Sequence, residues 1–68
     1  VAEVGERVAL LEDAIGYEGE VIARGEVGIV TGHRGEADTC VRFDDGRGIC
    51  IRNVSVRVVQ SKPHRGKR

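Results

Sequence analysis

Cys40 and Cys50 are the only cysteines of the 68-residue chain, and they carry the most chemistry within reach. Thiols can bridge, ligate a metal or stay reduced. Two cysteines ten positions apart are not a zinc signature, which wants closer spacing and four ligands. His33 and His64 are the imidazoles that could add ligands. A cross-strand disulfide, a metal site and reduced thiols all stay open. Free structural thiols are the expectation, with redox sensitivity the lesser reading. Asp44 and Asp45 are the nearest thing to a carboxylate pair. Glycosidase-type acid pairs need a cleft, whereas an Asp-Asp-Gly run is a turn former. No serine and no Cys-His pair stands at a spacing that suggests a nucleophile, so no catalytic residue, cofactor or metal is expected. His33, in a Gly-rich turn, is expected to face solvent.

Charge is the second source of chemistry. Residues 1–60 hold seven arginines against eleven carboxylates, which leaves the body at −4. Residues 61–68 hold Lys62, Arg65, Lys67 and Arg68 and no acid, a tail at +4. Arg42 and Arg52 have outward parity on neighbouring strands, and Arg34 lies in the turn nearby. With the tail they could form a basic face for phosphates. Against that stand the acidic body and a single Tyr and Phe, too few to stack bases. A proline-rich ligand is disfavoured for the same shortage of aromatics.

The elements that must position these side chains are short and β-rich. Val1 to Glu3 reads as a frayed start. Val8 and Leu10 share a parity in a first strand; a helix over Val8 to Ile15 competes, but would be two turns long with no cap. Glu12 to Arg24 is a long irregular excursion, either a loop that carries the binding surface or a hairpin-like flap that closes one end of the core. Gly16 and Gly19 bracket Tyr17, and Ile15, Tyr17, Val21 and Ile22 can pin the loop to the core. Gly25 to Val30 is a second strand, in which Gly28 permits close backbone approach. Thr39 to Phe43 and Gly48 to Ile51 are the next two strands. Their apolar pairs, Val41 with Phe43 and Ile49 with Ile51, face inward together only if the register sum is even. A sum of 90, with an Asp44-Asp45-Gly46 loop and Gly46 at positive φ, satisfies that and sets Cys40 opposite Cys50 on the outer face. A sum of 92 keeps the parity and sets them diagonally. Asn53 to Ser55 suits one 3₁₀ turn. Val56 to Val59 is the last strand, with Val56 and either Val58 or Val59 inward. Residues 61–68 are expected to be a flexible, disordered basic tail beyond a single domain over residues 1–60.

A chain of this length has one small core, built here from Val, Ile and Leu. Ten glycines suit tight turns better than a helical bundle. No apolar run is long enough to span a bilayer and no secretory signal is read, so cytoplasm is the expected location and no membrane partner is expected.

Five strands, a long loop after the first and a 3₁₀ turn before the last resemble an SH3-like barrel. The likeness rests on Gly5, Val8 and Leu10, on Gly25-Glu26-Val27-Gly28-Ile29-Val30, and on Val41-Arg42-Phe43-Asp44. The Gly25-x-x-Gly28-x-Val30 piece resembles the KOW element of ribosomal and transcription-factor domains. Val41 to Asp44 with Asn53-Val54 is similar to the small photosystem subunit and the thioredoxin-reductase variable chain. It implies an all-β, five-stranded SH3-like barrel over roughly residues 5–59, and it brings no catalytic residue.

Three functions follow as expectations. The first is a non-catalytic adaptor or accessory subunit that docks a protein partner through Glu12, Asp13, Tyr17, Glu18 and Glu20, with Tyr17 as anchor. The alternative is a nucleic-acid-binding accessory domain using Arg34, Arg42, Arg52, Lys62, Arg65, Lys67 and Arg68. The third is an enzyme completed by self-association, as in one plasmid-borne reductase that the barrel class resembles.

Overall fold

The computed structural model of the protein describes residues 2–60. In chain order its elements are β1 (Arg7–Leu10), β2 (Ala14–Ile15), β3 (Val21–Ile22), β4 (Val27–Arg34), β5 (Asp38–Arg42), β6 (Gly48–Arg52), a 3₁₀ turn (Asn53–Ser55) and β7 (Val56–Gln60). Five strands form one antiparallel sheet in the order β6-β5-β4-β1-β7, and β2 and β3 form a separate two-stranded sheet.

The fold is all-β, but it is not an SH3-like barrel. Strands β6 and β7 are the two edges of the main sheet and do not pair, so the sheet stays open. What meets the β6 edge instead is the Tyr17 backbone, whose N–H donates to the Gly48 carbonyl at 3.2 Å. The KOW-like and photosystem-type likeness falls with the barrel, because the short motifs that carried it are strand-and-turn patterns common to many small sheets. The stretch from Glu12 to Arg24 is not wholly irregular: of its two readings, the hairpin-like one describes it, because it holds the β2–β3 hairpin. The expected basic tail, 61–68, lies outside the described residues.

An open sheet of this size buries one face. Val8 and Leu10 of β1, Val30 of β4, Val41 of β5, Ile49 of β6 and Phe43 point into a single core, with Ile22 of the hairpin and Ala2 closing over it. Burying a Val, Leu or Ile side chain contributes about 1.5–3 kcal/mol. Ala2 corrects the expectation of a frayed start. Its side chain joins the core, and its carbonyl meets His33 Nε2 at 2.7 Å. His33 is exposed as expected, yet it ties the N-terminal segment to β4.

Gly28 is what lets β4 and β5 close up. A Cβ there would lie 2.6 Å from Val41 Cγ1, 2.8 Å from the Arg42 carbonyl oxygen and 2.9 Å from the Phe43 ring. Toward the start of β5, on the same face as Val41, the Thr39 hydroxyl is buried and donates to Asn53 Oδ1 at 2.5 Å. Asn53 Nδ2 in turn donates to the Glu36 carbonyl at 2.9 Å, so the 3₁₀ turn is latched to the β4–β5 turn. A buried hydroxyl without such a partner would be costly.

Candidate functional site

The β5–β6 hairpin sets up the chemistry-bearing residues. Its register pairs Val41 with Ile49, Cys40 with Cys50 and Thr39 with Ile51, which is the even sum of 90. Gly46 takes φ 92°, and the Phe43 N–H donates to the Arg47 carbonyl at 2.8 Å. Residues 43 and 47 are therefore a hydrogen-bonded pair. Alternation then makes Val41–Ile49 hydrogen-bonded and Cys40–Cys50 a non-hydrogen-bonded pair, where Cα atoms come closest. Asp44 and Asp45 lie in the turn.

The cysteines are not free thiols. Cys40 and Cys50 form a disulfide with Cα atoms 4.0 Å apart, on the face opposite the core. Directly opposed cysteines on the outer face of a hairpin are near enough to bridge, and that register turns the expectation of free thiols into a bridge. Among the described residues no group of three or more His, Cys, Asp or Glu side chains is arranged to hold a metal.

The β2–β3 hairpin is closed by local polar contacts. Gly16 N–H donates to the Glu20 carbonyl at 2.7 Å, Gly19 N–H to the Gly16 carbonyl at 3.1 Å, and Gly19 takes φ 86°. Glu20 Oε1 accepts from the Glu18 N–H at 3.0 Å. At the hairpin base, Asp13 Oδ1 accepts from the Arg24 N–H at 2.7 Å, and Glu12 Oε2 accepts from the buried Ser55 hydroxyl at 2.6 Å. Glu12, Asp13 and Glu20, expected as partner-facing charges, thus shape the hairpin as well as charging it. Among the described residues the carboxylate of Glu18 makes no such bond.

Tyr17 lies across β6. Its ring passes over Gly48, where a Cβ would sit 3.1 Å from Cε2, and its hydroxyl stands 2.9 Å from Cys50 Sγ. The side chain still keeps 67% of its surface exposed. Beside it is an open cleft of about 290 Å³ lined by Glu18, Glu20, Asp45, Arg47 and Gly48. Arg47 closes the cleft floor. Its guanidinium lies 5.5 Å from the Phe43 ring centre, with Nη2 3.3 Å from Glu26 Oε1 and Nε 2.6 Å from Asp45 Oδ2. The Nε–H is not aligned on that oxygen, so the last contact is ionic. The guanidinium first, and the Arg47 backbone N–H second, hold the Asp45 carboxyl below its ordinary value of 3.8.

Ile15, Tyr17, Val21 and Ile22 do not all pin the hairpin to the core. Ile22 alone is fully buried, while Ile15 is 65% and Val21 63% exposed. Ile15 and Val21 are directly opposite in the β2–β3 register, so they form one apolar pair on the outward face. The signal was in the sequence: adjacent strand residues point to opposite faces, so of Val21 and Ile22 one must face out.

Among the described residues, a carboxylate interrupts the expected arginine set of Arg34, Arg42 and Arg52. Arg34 Nε lies 3.9 Å from Asp38 Oδ2, and Asp38 is also the register partner of Arg52. One carboxylate therefore sits between those two arginines. Arg42 is at the other end of β5, opposite Gly48. Lys62, Arg65, Lys67 and Arg68 lie outside the described residues. No helix among the described residues is long and apolar enough to cross a membrane. The chain matches no protein-family model, no curated protein and no solved structure.

Proposed function

We propose that the domain is a non-catalytic protein-docking module and that the outward face of the β2–β3 hairpin is its working surface. The observation that carries this reading is the apolar group of Ile15, Val21 and Tyr17, each more than 60% exposed. Ile15 and Val21 stand side by side by register, and Tyr17 continues the surface toward β6. Exposed apolar groups set together on a small element are what an interface buries. Tyr is enriched at such centres because its ring is apolar and its hydroxyl polar.

The hairpin carries Glu12, Asp13, Glu18 and Glu20 and no base between residues 12 and 23. Its partner surface is therefore basic around an apolar centre, and encounter is speeded by opposite charge. The same carboxylates repel a phosphate backbone, so this face does not favour nucleic acid. The test is comparative capture from a lysate of the source cell by the wild type and by Ile15→Lys/Val21→Lys. The expected result is at least one protein captured by the first and lost from the second, with both domains equally folded. Identical capture profiles would reject the hairpin as the working surface.

A further inference from the structure

The outer face of the main sheet carries a second apolar surface of opposite charge. Val27 and Ile29 of β4 and Val59 of β7 are exposed, and they flank Ala9 of β1. Ala9 is itself buried yet takes no part in the core cluster, which places it on this second face. At one end the strip opens into a groove of about 450 Å³ lined by Ala9, Leu11, Val27, Val59, Arg24 and Arg57. Arg57 is the register partner of Ala9. Arg24 and Arg57 are exposed and make no ion pair among the described residues.

We infer that this groove receives the acidic β2–β3 hairpin of a second copy of the chain. The inference rests on the reading of that hairpin as a docking surface, and it names the partner. Charge complementarity argues for this occupant. The groove offers aliphatic side chains between two unpaired guanidiniums. The hairpin offers Ile15, Val21 and Tyr17 beside the carboxylates of Glu18 and Glu20, while Glu12 and Asp13 lie at its base. Nucleic acid fits the groove less well, because Ala9, Leu11, Val27 and Val59 give bases nothing aromatic to stack on. The two patches are different parts of the molecule, so the contact is heterologous, and repetition gives a ring or an open chain rather than a two-fold dimer.

That geometry sets its own test. Arg24→Glu/Arg57→Glu destroys the groove and keeps the hairpin. Ile15→Lys/Val21→Lys destroys the hairpin face and keeps the groove. All four positions are exposed, and circular dichroism checks that each variant folds. In sedimentation velocity at low salt, the wild type is expected to associate with rising concentration and to dissociate as salt rises. Each variant alone is expected to associate at least about tenfold more weakly, since like charges opposed across an interface cost several kcal/mol. An equimolar mixture of the two is expected to form a 1:1 heterodimer that grows no further, because one intact groove meets one intact hairpin. A third variant, neutral at Lys62, Arg65, Lys67 and Arg68, is expected to associate like the wild type. A monomeric wild type, a mixture that stays monomeric, or association lost with the tail charges would each overturn the inference. Should Arg24→Glu/Arg57→Glu still capture a lysate partner through its hairpin, the docking reading survives that failure.

Discussion

The Tyr17 hydroxyl stands 2.9 Å from Cys50 Sγ, across thirty-three residues of chain. The β2–β3 hairpin thus rests on the crosslink that joins β5 and β6. Sulfur is a weak hydrogen-bond acceptor, so Tyr17→Phe is expected to cost no more than about 0.5 kcal/mol, at the low end for a net hydrogen bond. Tyr17→Ala also removes the ring from Gly48. A buried aromatic cut to Ala costs about 3–5 kcal/mol. With two thirds of its surface exposed, Tyr17 should cost about 1 kcal/mol, a Tm fall of about 4–8 °C for a domain this small. Thermal melts of the three proteins decide it. An unfolded Tyr17→Ala domain would make Tyr17 a core residue and weaken its role as a docking anchor.

The disulfide closes a loop of ten-residue separation. Loop-closure entropy for that length gives about 2.5–3 kcal/mol as an upper value. The β5–β6 ladder and the Gly46 turn already hold the two ends together, so less of it is realised. Cys40→Ser/Cys50→Ser is expected to unfold with about 1–3 kcal/mol less stability. Urea melts check it, and the wild type in reductant should follow the variant while the wild type without reductant does not. Coincident melts for all three samples would show that the bridge adds nothing to the ladder.

What was legible in the sequence was local. The even register of β5 and β6 followed from Val41, Phe43, Ile49 and Ile51 needing one face, and from a Gly46 that had to take positive φ. The 3₁₀ turn at Asn53 to Ser55 followed from a gap too short for a strand. Barrel closure was not legible. Whether β6 and β7 meet depends on where Tyr17 and the hairpin lie, a contact made through backbone groups that leave no pattern in residue type. The candidate site divided in the same way. Glu12 and Asp13 were legible as charges, but not as acceptors for Ser55 and the Arg24 N–H, because those partners are brought in by the fold. Ala2 and His33 meet for a similar reason, since no local pattern links the chain start to β4.

Gly28 makes a sharper demand than the turn glycines. In Gly28→Ala the new Cβ would sit 2.8 Å from the Arg42 carbonyl oxygen, which belongs to the β5 backbone and cannot swing aside. Val41 and Phe43 would be pushed as well, and both are core residues. Overpacking of this sort costs about 1–3 kcal/mol. The expected loss is in that range, seen as a lower urea midpoint with an unchanged slope. Gly32→Ala is the control, because a Cβ at Gly32 meets nothing within 4 Å. Equal losses at the two positions would point to strand propensity rather than to the close approach of β4 and β5.

Asp45 ties the β5–β6 turn to charge. Its carboxyl titrates below 3.8 because the Arg47 guanidinium and the Arg47 N–H favour the ionised form. The folded state therefore binds this proton less readily than the unfolded chain does. The stabilisation is present above the ordinary value and is lost as pH falls through the lower, folded one. Asp45→Asn keeps an oxygen to accept the Arg47 N–H and removes the charge. At neutral pH the variant is expected to melt slightly below the wild type, by little, since the pair is at the surface and screened by water. The gap should close as pH falls through the lowered value of the folded carboxyl, where the wild-type side chain also becomes neutral. Added salt should narrow it at neutral pH, because exposed ion pairs are screened. Melting curves of both proteins from about pH 2 to pH 7, in low and high salt, supply the test. A gap of constant size down to the acid end would mean that Asp45 acts through turn geometry alone, and that its contact with Arg47 contributes no net charge stabilisation.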